Sequence, residues 1–165
     1  MKKFAVLLAL LCVVVGFASA ENFSKNGMLI APGSLNANAG VGLGYVNGLY
    51  VGGGVEYPIG KFVIANKIPL TYGAAARAGV YLGSNNVSFT IGAVGTLHFC
   101  WGALDLPSEL SWLGNFDSYI GLGLTIIPSV YFNTIGGTSY FLSKNLAINV
   151  ETGLESSYIG VLLKL

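Results

Sequence analysis

The stretch SLNANAGVGLGYVNGLYVGGGVEY, residues 34–57, alternates between apolar side chains and small or polar ones. Every second residue from Leu35 to Tyr45 is apolar, and only asparagine and glycine lie between them. The alternation resumes after Asn47-Gly48, a dipeptide that favours the tight turn of a β-hairpin. Because successive side chains of a strand point to opposite faces, this stretch predicts two antiparallel strands with one apolar face.

The first twenty residues have the pattern of a cleaved export signal. Lys2 and Lys3 precede an apolar run, and the segment ends in Ala18-Ser19-Ala20. A basic start, an apolar centre and a small-residue end are typical of a signal peptide. The alternative is a membrane-anchor helix, but the apolar run at 4–17 is short for a span of about 20 residues. We therefore expect cleavage after Ala20.

The composition excludes an ordinary soluble domain. Charged residues make up 9% of the chain, against about 25% in a typical soluble protein. Beyond the leader, no uninterrupted apolar run approaches the length of a membrane helix, and 24 glycines interrupt almost every segment. A closed β-barrel is the fold that lets such a chain cross a membrane, because every backbone amide and carbonyl pairs with a neighbouring strand.

Charge and cysteine content exclude two further classes. Without the leader, basic and acidic side chains nearly balance, and no basic run points to a nucleic-acid partner. Cys100 is then the one remaining cysteine, so an internal disulfide is not expected. We interpret Cys100 as a small buried side chain.

Eight strand candidates follow one another along the chain. After the opening hairpin, at 35–45 and 49–57, they occupy 70–82, 87–101, 116–127, 131–141, 146–151 and 157–165. Most are near the roughly 9–11 residues that cross a bilayer at a tilt. The sixth candidate alternates weakly and is the least regular.

The ionisable side chains inside these strand candidates all fall on the face opposite the apolar one. They are Glu56, Arg77, His98, Asp117, Glu151 and Lys164. A soluble carrier barrel would place its apolar face inside, but the other face of this chain is too poor in charge for a soluble exterior. In a membrane, apolar residues would contact acyl chains, and small and polar residues would fill the narrow interior.

We therefore predict an all-β fold, an eight-stranded antiparallel transmembrane up-and-down β-barrel. The barrel domain occupies residues 35–165. It follows a signal peptide at 1–20 and an N-terminal segment at 21–34.

The last strand candidate carries the most specific motif. Its sequence, YIGVLLKL, contains Tyr158, Gly160, Leu163 and Leu165. An aromatic residue, then glycine, then spaced apolar residues resembles the insertion signal of small outer-membrane β-barrel proteins of the OmpA/OmpX/OmpW type. The resemblance covers residues 35–165 at the level of architecture. It implies an outer-membrane location, contact with outer-membrane lipids, insertion by the barrel assembly machinery and a monomeric state.

The inner-face ionisable residues form the candidate site. The three acids could pair with Arg77, Lys164 and His98, which would give a salt-bridged plug that closes the lumen. This interpretation predicts a structural or envelope-interaction role. The alternative is a polar pathway, either a narrow channel or a conduit for hydrophobic solutes, although eight strands leave little open space.

His98, the only histidine, raises the possibility of a lipid-modifying enzyme. A histidine base would need a nucleophile within hydrogen-bond reach and an orienting acid. Outer-membrane lipid A deacylases use a His-x-Ser pair, whereas this chain has His98-Phe99-Cys100. One histidine and one cysteine also fall short of a metal-ligand set. We predict no enzymatic activity, no cofactor and no metal.

Connections and aromatic residues complete the prediction. The longer connections, 58–67 and 102–115, would lie on the side of both chain ends, whereas such barrels usually keep short turns there. Residues 26–33 could add further strand pairing. Aromatic side chains near the strand ends are expected at the membrane interface. They are Tyr45, Tyr57, Phe99, Trp101, Trp112 and Phe116.

Overall fold

The computed structural model describes residues 22–44, 48–84 and 86–165. The predicted leader and most of the first hairpin turn lie outside these ranges. The strands are β1 (Asn36–Gly44), β2 (Leu49–Ile64), β3 (Ile68–Leu82), β4 (Val87–Cys100), β5 (Phe116–Ile127), β6 (Tyr131–Phe141), β7 (Leu146–Gly153) and β8 (Ser156–Lys164). No helix within the described ranges has the length and apolarity to cross a membrane.

The eight strands form one closed barrel. Each strand pairs antiparallel with the next one along the chain, and β8 pairs with β1 to close the ring. On β1, Asn36 and Asn38 are buried in the interior, while the side chains of Val41 and Leu43 are 54% and 69% exposed. The predicted eight-stranded antiparallel barrel is confirmed.

The two rims of the barrel differ in construction. The rim that holds residues 22–35, the β2–β3 hairpin tip, residues 101–115 and the β6–β7 turn is called the chain-end rim. Its longest connection contains two short 3₁₀ segments, Trp101–Ala103 and Ser108–Asn115. The opposite rim is called the turn rim, and among the described residues it holds 48, 83–84, 86, 128–130 and 154–155.

The predicted connection at 58–67 is wrong. β2 continues to Ile64 and pairs with β3, and only residues 65–67 form the turn. A bulge between Pro58 and Gly60 shifts the register, and Ile59, Phe62, Val63 and Ile64 are all exposed. Two-residue alternation therefore stops where the hairpin extends past the barrel, because side chains there no longer divide into a lumen face and an outer face.

Residues 26–33, which could have added strand pairing, form no strand, although the Gly33 amide donates to the Pro58 carbonyl of β2 at 2.9 Å. The segment makes one internal bridge, between Lys25 and Met28, and then enters the chain-end mouth of the barrel. Leu29 and Ile30 are 1% and 2% exposed. They pack with Cys100, Phe141, Ala147 and Leu162 from the strands. The Thr71 hydroxyl of β3 donates to the Ile30 carbonyl at 2.9 Å, which fixes the segment inside the mouth.

Inner-face glycines make room for tyrosine rings. A β-carbon added at Gly52 would lie 2.2 Å from the Tyr50 hydroxyl oxygen, and one at Gly79 would lie 2.2 Å from a Tyr50 ring carbon. The Tyr50 ring also lies 4.9 Å from the Tyr81 ring and 5.7 Å from the Tyr158 ring, between centroids. Large aromatic rings therefore pack directly over glycine backbone in the interior. This pairing of ring and glycine is a more specific arrangement than the small average side-chain size that a narrow lumen requires.

We expect Gly79→Ala to destabilise the barrel by about 1–3 kcal/mol, because the added methyl group overpacks the Tyr50 ring. Gly95→Ala is the matched control, since its β-carbon would meet no atom closer than 3.8 Å. Urea unfolding in detergent micelles, followed by tryptophan fluorescence, measures both. Equal unfolding midpoints for the two variants would contradict this packing role.

Candidate functional site

Five of the six ionisable residues predicted on the inner face meet in one buried network. Five strands supply one each: Glu56 from β2, Arg77 from β3, His98 from β4, Asp117 from β5 and Glu151 from β7. Each is 1–4% exposed. Strand alternation directs these side chains inward from around the wall, so residues distant in the sequence converge at one level of the lumen.

Arg77 lies between two carboxylates. Its Nη2 atom is 3.1 Å from Glu151 Oε2 and 3.4 Å from Glu56 Oε2. Its Nε–H also donates to both Glu151 oxygens, at 3.1 and 3.2 Å. Gly54 on the neighbouring strand leaves space for the arginine stem, because a β-carbon there would lie 2.6 Å from Arg77 Cδ. One guanidinium therefore compensates two buried acids.

His98 bridges two carboxylates as well. Its Nδ1 atom is 2.6 Å from Asp117 Oδ1, and its Nε2 atom is 2.6 Å from Glu56 Oε1. The imidazole stacks on the Tyr119 ring, with centroids 5.1 Å apart. A ring nitrogen without a proton would face a carboxylate lone pair, so this geometry favours the doubly protonated imidazolium. Arg77 and imidazolium His98 then oppose three acids.

Neutral donors supply the remaining hydrogen bonds to the acids. Tyr119 and Tyr158 donate their hydroxyls to Glu151 at 2.7 and 2.9 Å, and Thr96 donates to Glu56 at 2.5 Å. Sequence reasoning did not assign Thr96 or Tyr119 to the site. The signal that could have found them is the strand alternation itself, which places Thr96 and Tyr119 on the same inner face as His98 and Asp117.

Lys164 departs from the predicted pairing with an acid. Its Nζ atom donates to the Leu29 carbonyl at 2.8 Å and lies 5.5 Å from the centroid of the Phe141 ring. The reason is its position at the end of β8, where the N-terminal segment fills the mouth. Lys164 therefore anchors that segment instead of joining the central network.

The four residues of the predicted insertion motif have different surroundings. Tyr158 points inward to Glu151, and Gly160 lies opposite Gly40 in the β1–β8 seam. A β-carbon at Gly160 would be 2.0 Å from the Ala39 carbonyl oxygen, so the seam is too close for a larger residue. Leu163 and Leu165 are exposed, at 44% and 74%. The role of the motif in insertion stays a prediction.

Two apolar clusters adjoin the polar network. One is the chain-end cluster around Leu29 and Ile30. The other packs Val94, Ile135 and neighbouring side chains against Leu154 of the β7–β8 turn. Apolar side chains therefore lie inside the barrel at the chain-end mouth and beside the β7–β8 turn.

His98 does not contact a nucleophile in the described residues. The Cys100 thiol faces the Gly114 carbonyl, with the sulfur and oxygen 3.7 Å apart, and Ser118 accepts a hydrogen bond from the Trp101 indole at 3.0 Å. Across the same ranges, no group of three or more His, Cys, Asp or Glu side chains is placed to hold a metal ion. The two ring nitrogens of His98 face Asp117 and Glu56 instead.

The outer wall has the opposite chemistry to the interior. Leu122, Ile120 and Phe132 are 65%, 62% and 83% exposed, and they continue an apolar band around the strands. The exposed ionisable side chains of the described residues all lie at the rims: Lys25, Lys61, Lys67, Asp105, Glu109, Lys144 and Glu155. The wall between the rims is therefore uncharged and mostly apolar, with Thr134 and Thr152 as exposed exceptions, and charges lie inside the lumen or at its ends.

We expect Arg77→Met to destabilise the protein by about 3–5 kcal/mol, because it leaves Glu151 buried without a cation and leaves Glu56 with His98 as its one remaining cationic partner. Glu151→Gln in the same chain should restore part of that loss by removing one uncompensated charge. Urea unfolding midpoints of the single and double variants measure the coupling.

Lys67→Met serves as the control for losing a cation at the surface. Its 3.2 Å ion pair with Asp105 is exposed, so the expected cost is at most about 1 kcal/mol. An Arg77→Met variant as stable as Lys67→Met would show that the interior network does not hold the barrel together.

The barrel is similar in fold to a designed protein of known structure. Comparison with solved structures finds a de novo designed transmembrane β-barrel, with 21% sequence identity and a TM-score of 0.53, over 84% of this chain and 100% of the designed chain. No family model matches the chain, and no curated protein matches it. At this identity the likeness establishes the fold alone, and the narrower resemblance to the OmpA/OmpX/OmpW type stays a prediction.

Proposed function

We propose that this protein is an integral outer-membrane β-barrel with a plugged interior and a structural or envelope-interaction role. One observation carries the proposal: the wall between the rims is apolar and exposed, while five ionisable side chains are buried and paired inside. This distribution is the reverse of that in a soluble carrier barrel.

The physical argument concerns the free energy of the outer wall in two solvents. Contiguous exposed apolar patches above a few hundred Å² are rare on soluble monomers. In hydrocarbon the same side chains need no cover, and the closed ladder of backbone hydrogen bonds leaves no strand edge between the rims unpaired. Lipid is therefore the solvent that suits both the wall and the backbone.

The contacts inside the lumen favour a plug over a channel. Arg77 and His98 each join two acids, and apolar clusters lie towards both rims. A solute would have to separate these ion pairs at a cost of several kcal/mol. We expect no unitary conductance steps when the purified protein is reconstituted in planar bilayers. Reproducible steps would support the channel alternative instead.

Localisation and role are tested in cells that express the protein. We expect it in the outer-membrane fraction after alkaline washing, with a gel mobility that shifts on heating. Loss of the gene should increase sensitivity of the envelope to detergent, and the wild-type gene should restore it. A protein released by alkaline washing, with unshifted mobility, would exclude the barrel in the membrane.

Leu122→Arg should block membrane assembly, because an arginine near the bilayer midplane of a barrel costs about 2–4 kcal/mol. Val130→Arg is the matched control: Val130 is 71% exposed but lies in the β5–β6 turn at the turn rim. The heat-shifted fraction on gels, after folding into vesicles, measures both variants. Equal folding of the two would refute lipid contact at Leu122.

A further inference from the structure

The exposed charges are divided unequally between the two rims. The chain-end rim exposes four lysines against two acids: Lys25, Lys61, Lys67, Lys144, Asp105 and Glu109. The turn rim exposes one ionisable side chain among the described residues, Glu155. The barrel therefore has one cationic end and one nearly uncharged end.

Three of the four lysines have no ion pair within the described residues. Lys67 joins Asp105 at 3.2 Å. Lys25, Lys61 and Lys144, here called the lysine rim, are exposed and reach solvent without an acidic partner. Their charges are available to an external anion.

Aromatic side chains lie beside the lysine rim. Trp101 and Trp112 are 37% and 41% exposed, and both belong to the 101–115 connection. Phe62 and Tyr72 of the β2–β3 hairpin form an exposed ring pair, with centroids 6.4 Å apart. Aromatic rings and lysines that share one rim are expected at a membrane interface.

The lysines are spread around the barrel. Lys61 extends from the β2–β3 hairpin, and Lys144 lies in the β6–β7 turn, on the other side of the eight-stranded ring. Lys25 belongs to the N-terminal segment in the barrel mouth. A single protein partner would cover one side of the barrel, whereas lipid headgroups surround it on every side.

We propose that the lysine rim binds the phosphodiester headgroups of anionic glycerophospholipids in the leaflet at the chain-end rim. This inference rests on the proposed function, because it requires that the barrel span a bilayer. Anionic headgroups attract basic side chains near the membrane surface. The lysines therefore fix which headgroups collect at this rim, and the turn rim offers no described cation to compete for them.

The two tryptophans are built-in reporters, because the chain has no others and both lie at this rim. The protein is folded into vesicles of phosphatidylcholine and phosphatidylglycerol in which one lipid at a time carries bromine on its acyl chains near the headgroup. At equal mole fraction, we expect brominated phosphatidylglycerol to quench tryptophan fluorescence more strongly than brominated phosphatidylcholine. The ratio of quenching by brominated phosphatidylglycerol to quenching by brominated phosphatidylcholine, here called the preference, should be roughly threefold or more at low salt. One lysine near the membrane surface increases the affinity for an anionic lipid by up to about fivefold.

Matched variants assign the preference to the lysine rim. A triple variant, Lys25→Gln, Lys61→Gln and Lys144→Gln, should reduce it to about one. Glu155→Gln, at the turn rim, should leave it unchanged. Free glycerol phosphate at constant ionic strength should also leave it unchanged, because the rim recognises headgroups held in a bilayer. Heat-shifted gel mobility verifies that each variant folds.

The remaining outcomes separate this inference from the proposed function. Equal quenching by both brominated lipids would overturn headgroup binding and leave the membrane barrel intact. Absence of quenching by either lipid would overturn the membrane barrel itself. A preference that persists in the triple variant, or that free glycerol phosphate abolishes, would overturn the assignment to bilayer headgroups at the lysine rim.

Discussion

The placement of Arg77 between Glu56 and Glu151 is the interaction on which the interior depends. An eight-stranded barrel has a lumen that side chains just fill, so an ionised group there reaches little water and must find its partners among other side chains. Arg77 links two strands to its own, and His98 extends the network to Asp117. Five strands are thereby joined across the lumen as well as around the wall.

Glycine and tyrosine fit this network into the available volume. Gly79 of β3, like Gly52 of β2, allows the Tyr50 ring to lie over the backbone, and Gly54 does the same for the stem of Arg77. Tyr158 then reaches Glu151 with its hydroxyl. The interior is therefore specified by pairs of neighbouring strands, in which a large side chain on one strand packs over a glycine on the other.

Local alternation was enough to predict the eight strands and the direction of each ionisable side chain, because a strand offers two faces and only one suits lipid. It could not predict which groups would meet, since register and barrel closure combine strands that are distant in the chain. Lys164 shows this limit: its inward direction followed from alternation, but its contact with Leu29 depends on where the N-terminal segment enters. The predicted ends of β2 and β3 were wrong for a related reason. Where the hairpin extends past the barrel, both faces of β2 are exposed, so its side chains no longer alternate and the strand cannot be recognised from alternation.

The N-terminal segment has a consequence for the order of assembly. Leu29 and Ile30 occupy the mouth together with side chains of β4, β6, β7 and β8, and the segment leads directly into β1, which closes the ring against β8. These contacts join opposite ends of the chain, so they form only after the largest loss of chain entropy in the molecule. Filling the mouth and sealing the seam are thus coupled, and a nascent sheet with its first strand still free would remain an open ribbon with two unpaired edges.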